Sequence, residues 1–415
     1  MRRWMAPLLL AAVAASTLSC SPGKSSRISI VFAAGNDPSG ATEALIEEYN
    51  AAHPGVEVRF QAMPANTDTQ HDAYVTYLSA GDASIDLYSL DVIWTPEFAR
   101  AGWIRALPQG FLNTEEFLEG PLGSVTYQGT LYAVPWFTDA GVLYYRKDLL
   151  DQAGLSAPAT WDDLRVACRR VAAPRGMDGF VWQGARYEGM VCAFLEFLWG
   201  LGGTLEPERL ASSPADVERE VAATLRLMTG FMDDGVSPES VLTYKEEDAR
   251  RVFTEGQALF MRNWPYAWSM AEGPESKVKG LVGIAPLPHA QGLTAYSTIG
   301  GWNVALSTHS AHPEEALEFL RFITSEHALA LRAVKGAYLP TRKATYQDPE
   351  VLAANPHFSS FFEVFRSARN RPQSPEYPRA SDVIQEHAHE ALARTTPPED
   401  AARAIVAGLE GILVE

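Results

Sequence analysis

From Arg27 to Ser89 the apolar positions switch between a period of two and a period near 3.6, and the switches mark the elements. Arg27–Phe32 alternates and is rich in β-branched residues, which reads as a strand. Thr42–Ala52 places Leu45, Tyr49 and Ala52 on one helical face and stops at Pro54-Gly55. Val56–Phe60 is a second strand, Asp68–Ala80 an amphipathic helix and Ile85–Ser89 a third strand. This βαβαβ rhythm implies a parallel sheet with right-handed crossovers, whose ligands sit beyond the carboxyl ends of the strands. The rule selects Asn36 and Asp37 after the first strand, Gln70 after the second and Asp91 after the third. Asp91 reads either as a ligand contact or as a helix-start carboxylate. Because Thr95 and Pro96 already supply a cap and a first-turn proline for the helix Glu97–Ala101, ligand contact is favoured.

Two apolar runs, Leu131–Phe137 and Val142–Tyr145, then flank the break Thr138-Asp139-Ala140-Gly141. Strand, polar break, strand is the simplest reading, with Asp139 between aromatics at a hinge that also floors a site. Beyond it, Thr160-Trp161-Asp162-Asp163 opens a helix reaching Ala172 with a capping-box pattern. Gly189–Gly200 is almost wholly apolar and reads as a buried helix, with Glu188 and Glu196 at its edges solvated or paired. Val217–Asp234 is an amphipathic helix, and Tyr244–Phe253 leads into a strand at Gly256–Phe260. In Arg262-Asn263-Trp264-Pro265-Tyr266-Ala267-Trp268 the proline argues for a turn that presents the rings. Gly300-Gly301, before Trp302, allows either a turn or close backbone approach to a ligand. Arg371, among prolines, belongs on a loop, as a bidentate donor or in a surface ion pair.

Composition and charge narrow the class. A 415-residue chain is too long for one core, so two lobes are expected. A formal charge of −17 argues against nucleic acid or an anionic membrane surface. Arg2-Arg3 followed by the short apolar run Met5–Val13 resembles a secretory signal, and Thr17-Leu18-Ser19-Cys20 resembles a bacterial lipobox with Thr17 where a leucine is usual. Residues 1–19 are thus expected to be a signal peptide and 20–26 a tether lipidated at Cys20, the alternative being a plain cleaved signal. Cys168 and Cys192 remain, as a disulfide or as two buried thiols. His387 and His389 stand two apart and face different sides of a helix, so no metal is expected; nor is any cofactor.

The segments LDVIWTPEFARAGW (Leu90–Trp103), PWFTDAGVLYYRKDLL (Pro135–Leu150) and MRNWPYAW (Met261–Trp268) resemble the trehalose/maltose-binding branch of the family 1 extracellular solute-binding proteins of ABC importers. The resemblance runs over nearly the whole mature chain. It implies a two-lobe α/β periplasmic-binding-protein fold like that of maltose-binding protein, each lobe a mostly parallel sheet flanked by helices. Expected boundaries are 27–136 with 303–341 for lobe 1 and 137–302 with 342–415 for lobe 2. Three crossings would join them, near Leu131–Leu150, Thr298–Val304 and Leu339–Arg342, with His312–Lys335 a long helix returning to the first lobe.

The function so implied is non-enzymatic capture of an α-linked disaccharide or short oligosaccharide for delivery to ABC permease subunits, by a monomer held to the membrane only through its lipid. A sugar ring has an apolar face and a belt of hydroxyls, so aromatic platforms beside carboxylates or Arg suit it. Expected ligand residues are Asp91, Asp139, Glu246 or Glu247 as acceptors, Trp264, Trp302, Phe137 and Tyr266 as stacking walls, Gly301 at the wall, Arg371 as donor, and Asn36, Asp37 and Gln70. Relatives carry an Arg where Gln70 stands. Paired carboxylates such as Asp91 and Asp139 would also suit a glycoside hydrolase, and a surface or sensor protein would use the same site without transport.

Overall fold

In the computed structural model residues 27–414 are described, apart from 359, 360, 362, 363, 365 and 366. The signal peptide, Cys20 and the tether lie outside the described residues. The strands are β1 (Ile28–Gly35), β2 (Val56–Met63), β3 (Leu87–Asp91), β4 (Thr126–Tyr127), β5 (Thr130–Leu131), β6 (Ala133–Ala140), β7 (Val142–Arg146), β8 (Asp178–Val181), β9 (Ala258–Asn263), β10 (Val282–Ala285), β11 (Ser297–Leu306), β12 (Leu339–Pro340) and β13 (Ala368–Arg369). Among the described residues a seven-stranded sheet runs β12-β6-β11-β3-β1-β2 with β13 on β11, and a four-stranded sheet runs β10-β7-β9-β8.

Two lobes of α/β structure result, yet their sheets are less parallel than expected. In the first only β1 with β2, β1 with β3 and β11 with β13 are parallel; β11 is antiparallel to both β3 and β6. In the second only β8 with β9 is parallel. β6 and β7 are antiparallel partners of β11 and β9 respectively, and Gly141 alone joins them, so no helical crossover intervenes. The βαβαβ rhythm was legible because it belongs to the one stretch, Ile28–Asp91, that is built that way.

Each sheet has its own aromatic core. Phe32, Trp136 and Phe319 meet around the first, with Phe32 to Trp136 at 5.4 Å between centroids. Trp161, Phe180, Phe197 and Phe231 meet in the second, where Trp161 stacks on Phe197 at 4.4 Å. The helix Glu188–Gly200 is buried at every position. The helices Tyr377–Leu392 and Pro398–Leu409 pack through Ile384, Leu392, Ile405 and Leu409 into that same core. Thr160 and Asp163 form the expected capping box, though the regular helix ends at Ala167 and continues as a π-turn to Ala172.

Three further expectations are corrected. The segment Leu131–Leu150 does not break at 138–141: β6 runs through Thr138 and Asp139 to Ala140, and Gly141 alone separates it from β7. Pairing of Gly300 with Asp139 and of Gly301 with Thr138 holds the polar residues in the ladder. The span His312–Lys335 is two helices, Pro313–Ile323 and Glu326–Gly336, because Ser325 caps a new N-terminus by accepting from Ala328 N at 3.2 Å. Thr95 provides no side-chain cap for Thr95–Arg100. The two cysteines are free and buried, which settles that alternative.

Beneath the junction of β6, β7 and β11 lies a buried ion pair. Arg262 on β9 donates through Nε and Nη2 to Glu196 at 2.8 and 2.7 Å, with side chains 1% and 2% exposed. Glu196 also accepts from Thr298 N at 3.1 Å on β11. A Cβ on Gly141 would stand 2.1 Å from Glu196 Oε1 and 2.6 Å from Arg262 Nη2, so the pair presses on backbone that only glycine leaves open. Removing one partner leaves a buried charge uncompensated, which costs about 3–5 kcal/mol. Glu196→Ala is therefore expected to lower the unfolding free energy by about that amount in denaturant titration, and a loss below about 1 kcal/mol would show the pair is not essential.

Candidate functional site

Between the two cores lies a cavity of about 480 Å³. The carboxyl ends of β1 and β3, the segment before and within Thr67–Ser79, the middle of β6 and β11, the start of Glu188–Gly200, the turn after β9 and the loop at Arg371 all open onto it. The thirteen ligand residues expected from the sequence all line this one cavity: Asn36, Asp37, Gln70, Asp91, Phe137, Asp139, Glu246, Glu247, Trp264, Tyr266, Gly301, Trp302 and Arg371. Trp268 does not; it stacks on His357 at 4.4 Å.

Their bonding separates them sharply. Asp37 is saturated: Oδ1 accepts from Ser39 N, Ser39 Oγ and Tyr338 Oη, and Oδ2 from Thr42 N and Oγ1, all at 2.6–3.1 Å. Burial alone would raise its pKa, but Arg332 and these bonds hold it below the ordinary value. Its role is to close the first turn of the helix Ala41–Ala52, so the expected ligand contact has no free lone pair on its side. Gln70 is buried and donates to Tyr74 Oη at 2.9 Å. Asn36 is exposed at the rim.

Asp91 is the last residue of β3, not the first beyond it, and Oδ1 accepts from Ile93 N at 3.2 Å and from Arg371 Nη2 at 2.7 Å. The loop expected for Arg371 is there, but the guanidinium is 1% exposed and its other terminal nitrogen donates to Glu188 Oε1 at 2.7 Å. The fork expected for sugar hydroxyls is thus held by two carboxylates, while Nε has no partner. Glu188 and Glu196 are both paired, and neither is solvated.

Glu246 and Glu247 brace the aromatic wall. Glu246 accepts from Trp264 Nε1 at 3.3 Å and Tyr187 Oη at 2.7 Å; Glu247 accepts from Tyr266 Oη at 2.8 Å. The Arg262 guanidinium lies 4.0 Å from the Trp264 ring centre and covers one face of the indole, and Trp264 lines the cavity. The turn at Trp264-Pro265 is closed by Ala267 N bonding to Trp264 O at 3.1 Å. The two glycines are explained by packing. A Cβ on Gly300 would come 3.0 Å from the Trp264 ring, and Gly301, at φ +123°, stands with its Cβ direction 2.4 Å from Phe137 O. Trp302 sits half-buried and edge-on to Trp94 at 5.4 Å.

Asp139 differs from all of these. Oδ1 is buried with no hydrogen-bond partner, and burial without compensation pushes the carboxyl up to about 8, against the lowering pull of Arg332 and Arg262. Buried polar groups are almost always bonded, so an orphan carboxyl oxygen on a residue that lines the cavity marks a missing donor.

Arg332 and Tyr338 were not anticipated. Arg332 donates to Thr42 Oγ1 at 2.6 Å and lies 3.7 Å from the ring centre of Trp136, 4.8 Å from Phe137 and 4.2 Å from Tyr338. The signal was present: Arg332 shares the buried stripe Ala328, Leu329, Ala333 and Gly336, where a charge needs a reason. His387 and His389 bond to Glu390 and to Leu242 O, and no metal-ligating cluster occurs among the described residues.

Comparison with known proteins places this architecture. Residues 34–330 match the family model described as bacterial extracellular solute-binding protein. A probable ABC transporter-binding protein of Deinococcus radiodurans is 32% identical over 366 residues, 86% of each chain. Among solved structures, maltose-bound MalE3 of T. maritima is 41% identical with a TM-score of 0.88, covering 93% of this chain and all of that one. A solute-binding protein of Thermotoga lettingae bound to α-D-tagatose is 25% identical with a TM-score of 0.82, over 93% of this chain and all of that one. The chain belongs to the family of bacterial extracellular solute-binding proteins.

Proposed function

We propose that this protein captures an α-linked disaccharide of the maltose or trehalose kind between its lobes and delivers it to the membrane subunits of an ABC importer. The observation that carries the reading is Asp139, an unpartnered carboxyl in a cavity walled by Trp264, Tyr266, Phe137 and Trp302. Vicinal hydroxyls supply the donors that Asp139 lacks, and the apolar ring face supplies a stacking partner for Trp264. A cavity of about 480 Å³ suits a ligand of two rings, within the roughly 300–1,000 Å³ common for small-molecule sites. The maltose bound by the T. maritima relative supports the same class, and the tagatose of the second neighbour marks the monosaccharide alternative.

Capture works by differential contact. The open form offers Asp139 or Trp264 to a sugar from part of the site, whereas the closed form offers both with the first-lobe rim, so ligand shifts the population toward closure. Lobe boundaries at 136/137, 302/303 and 341/342 fit this reading. Trp302 pairs with Phe137 across β11 and β6, and the register shifts between Trp302 and Asn303, a place where the ladder bends. Membership of an extracellular family carries export with it; anchoring through a lipidated Cys20 and action as a monomer belong to the proposal.

A hydrolase using Asp91 and Asp139 as its carboxyl pair is disfavoured because Asp91 is committed to Arg371 and Ile93 N. Incubation with maltose or trehalose is expected to release no glucose above the buffer rate, and release at enzymatic rates would overturn the carrier reading. In calorimetric titration with maltose, Asp139→Ala is expected to weaken binding by about 10-fold, through loss of the hydrogen bonding of a buried carboxyl. Trp264→Ala is expected to weaken it by about fivefold or more through lost stacking. Parent-like affinity in both variants would place the site elsewhere.

A further inference from the structure

Glu188 sits where the two lobes meet. Its Oε1 accepts from Arg371 Nη1 and Tyr377 Oη at 2.7 Å each, and Oε2 accepts from Ser381. Since Arg371 also donates to Asp91 on β3, one guanidinium joins a carboxylate of the first sheet to the start of a helix in the second core. The backbone N–H of Glu188 points the other way across the cleft, to Asp68 Oδ1 at 3.3 Å. Asp68 lies in the first turn of Thr67–Ser79, whose Tyr74 and Leu78 belong to the first lobe. Closing the lobes thus seats Asp68 on a helix N-terminus, a favourable dipole, while bringing it beside the Glu188 charge.

Resting on the sugar-carrier reading, we propose that Glu188 is a positioning residue that sets the Arg371 guanidinium in the ligand site, and that its meeting with Asp68 makes closure and capture tighter in acid. The charges around Asp68 come from every side. Glu188 faces it from its own helix, and Asp382, with the Gln385 amide, from Tyr377–Leu392. His71 and Asp72 share its helix, Glu386 pairs with Arg186 at 3.5 Å, and His71 bonds to Glu97 at 2.7 Å within the first lobe. Burial first, then Glu188 and Asp382, push Asp68 up to about 6, against bonds from the Glu188 N–H and Gln385. Burial also raises Asp382, with the same sign.

The direction follows from linkage. In the open form Asp68 returns toward water and its ordinary value of 3.8. The closed form therefore binds the proton more tightly, and closure weakens as pH rises from about 4 to about 6. Between about pH 5 and about pH 7.5 the difference amounts to up to about tenfold in the closing equilibrium.

Two measurements test this. In maltose titrations the ratio of affinity at about pH 5 to that at about pH 7.5 is expected to be up to about tenfold larger in the parent than in Asp68→Asn, in which Asp139 and Asp382 still titrate. Glu188→Gln, with its fold checked by circular dichroism, is expected to lose about tenfold or more at about pH 5, through a misset Arg371, and to narrow the pH ratio. Small-angle scattering of the ligand-free parent is expected to show a smaller radius of gyration in acid, and Asp68→Asn a smaller change with pH than the parent. A pH-independent radius in the parent, or a parent-like pH ratio in Asp68→Asn, would overturn the proposal. Failure of the parent to bind maltose while its radius still shrinks in acid would remove the disaccharide reading and leave the latch standing.

Discussion

A guanidinium buried between lobes has to be neutralised where it lies, and the geometry of this protein follows from that demand on Arg371. With its side chain 1% exposed, its charge is compensated only when Asp91 of the first sheet and Glu188 of the second core are both within 2.7 Å. The desolvation cost of such a group is several kcal/mol, and breaking either pair exposes the molecule to it. The structure satisfies Arg371 from the first sheet through Asp91 and from the second core through Glu188. Beneath it Arg262 and Glu196 form a second buried pair, which holds Thr298 N on β11 and leaves no room for a side chain at Gly141 between β6 and β7.

Against that background of paired charges the site is defined by what remains unpaired. Asp37 has five hydrogen bonds, Asp91 and Glu188 share Arg371, and Glu246 and Glu247 are spent on holding Trp264 and Tyr266 by their polar edges. Arg332 inserts among Trp136, Phe137 and Tyr338 and stiffens the wall opposite. Asp139 alone of these carboxylates has a buried oxygen with no donor. A rigid aromatic frame and one unsatisfied acceptor are what a pre-organised sugar site requires, because side chains already held in place lose little entropy when the ligand arrives.

Much of this was legible in the chain. Alternation and helical spacing located β1 to β3 and their helices, since those elements each bury one face, and the turn at Pro265 and the capping box at Thr160 declared themselves by residue type. The fold and the family came from the resemblance of three segments. Sequence could not show that β6 runs unbroken through Thr138 and Asp139, because the strand is stabilised by β11, some 160 residues away, and not by its own pattern. Nor could it separate carboxylates that bind from carboxylates that brace. Asp91, Asp37 and Asp139 look alike in the chain, and their roles differ only through partners such as Arg371, Thr42 and Tyr338 that folding brings from afar. Arg332 was missed because it lies in a helix read for its apolar positions, whereas the informative feature was the single charge on the buried side.

The central claim is that the cavity between the lobes is the ligand site, with Asp139 and Trp264 meeting the same sugar. Diffraction from crystals grown with maltose tests it most directly. The account predicts a disaccharide in the cleft, one hydroxyl bonded to the Asp139 carboxyl and one ring stacked on Trp264. Maltose bound outside this cavity, or in it with Asp139 still unpartnered, would contradict it.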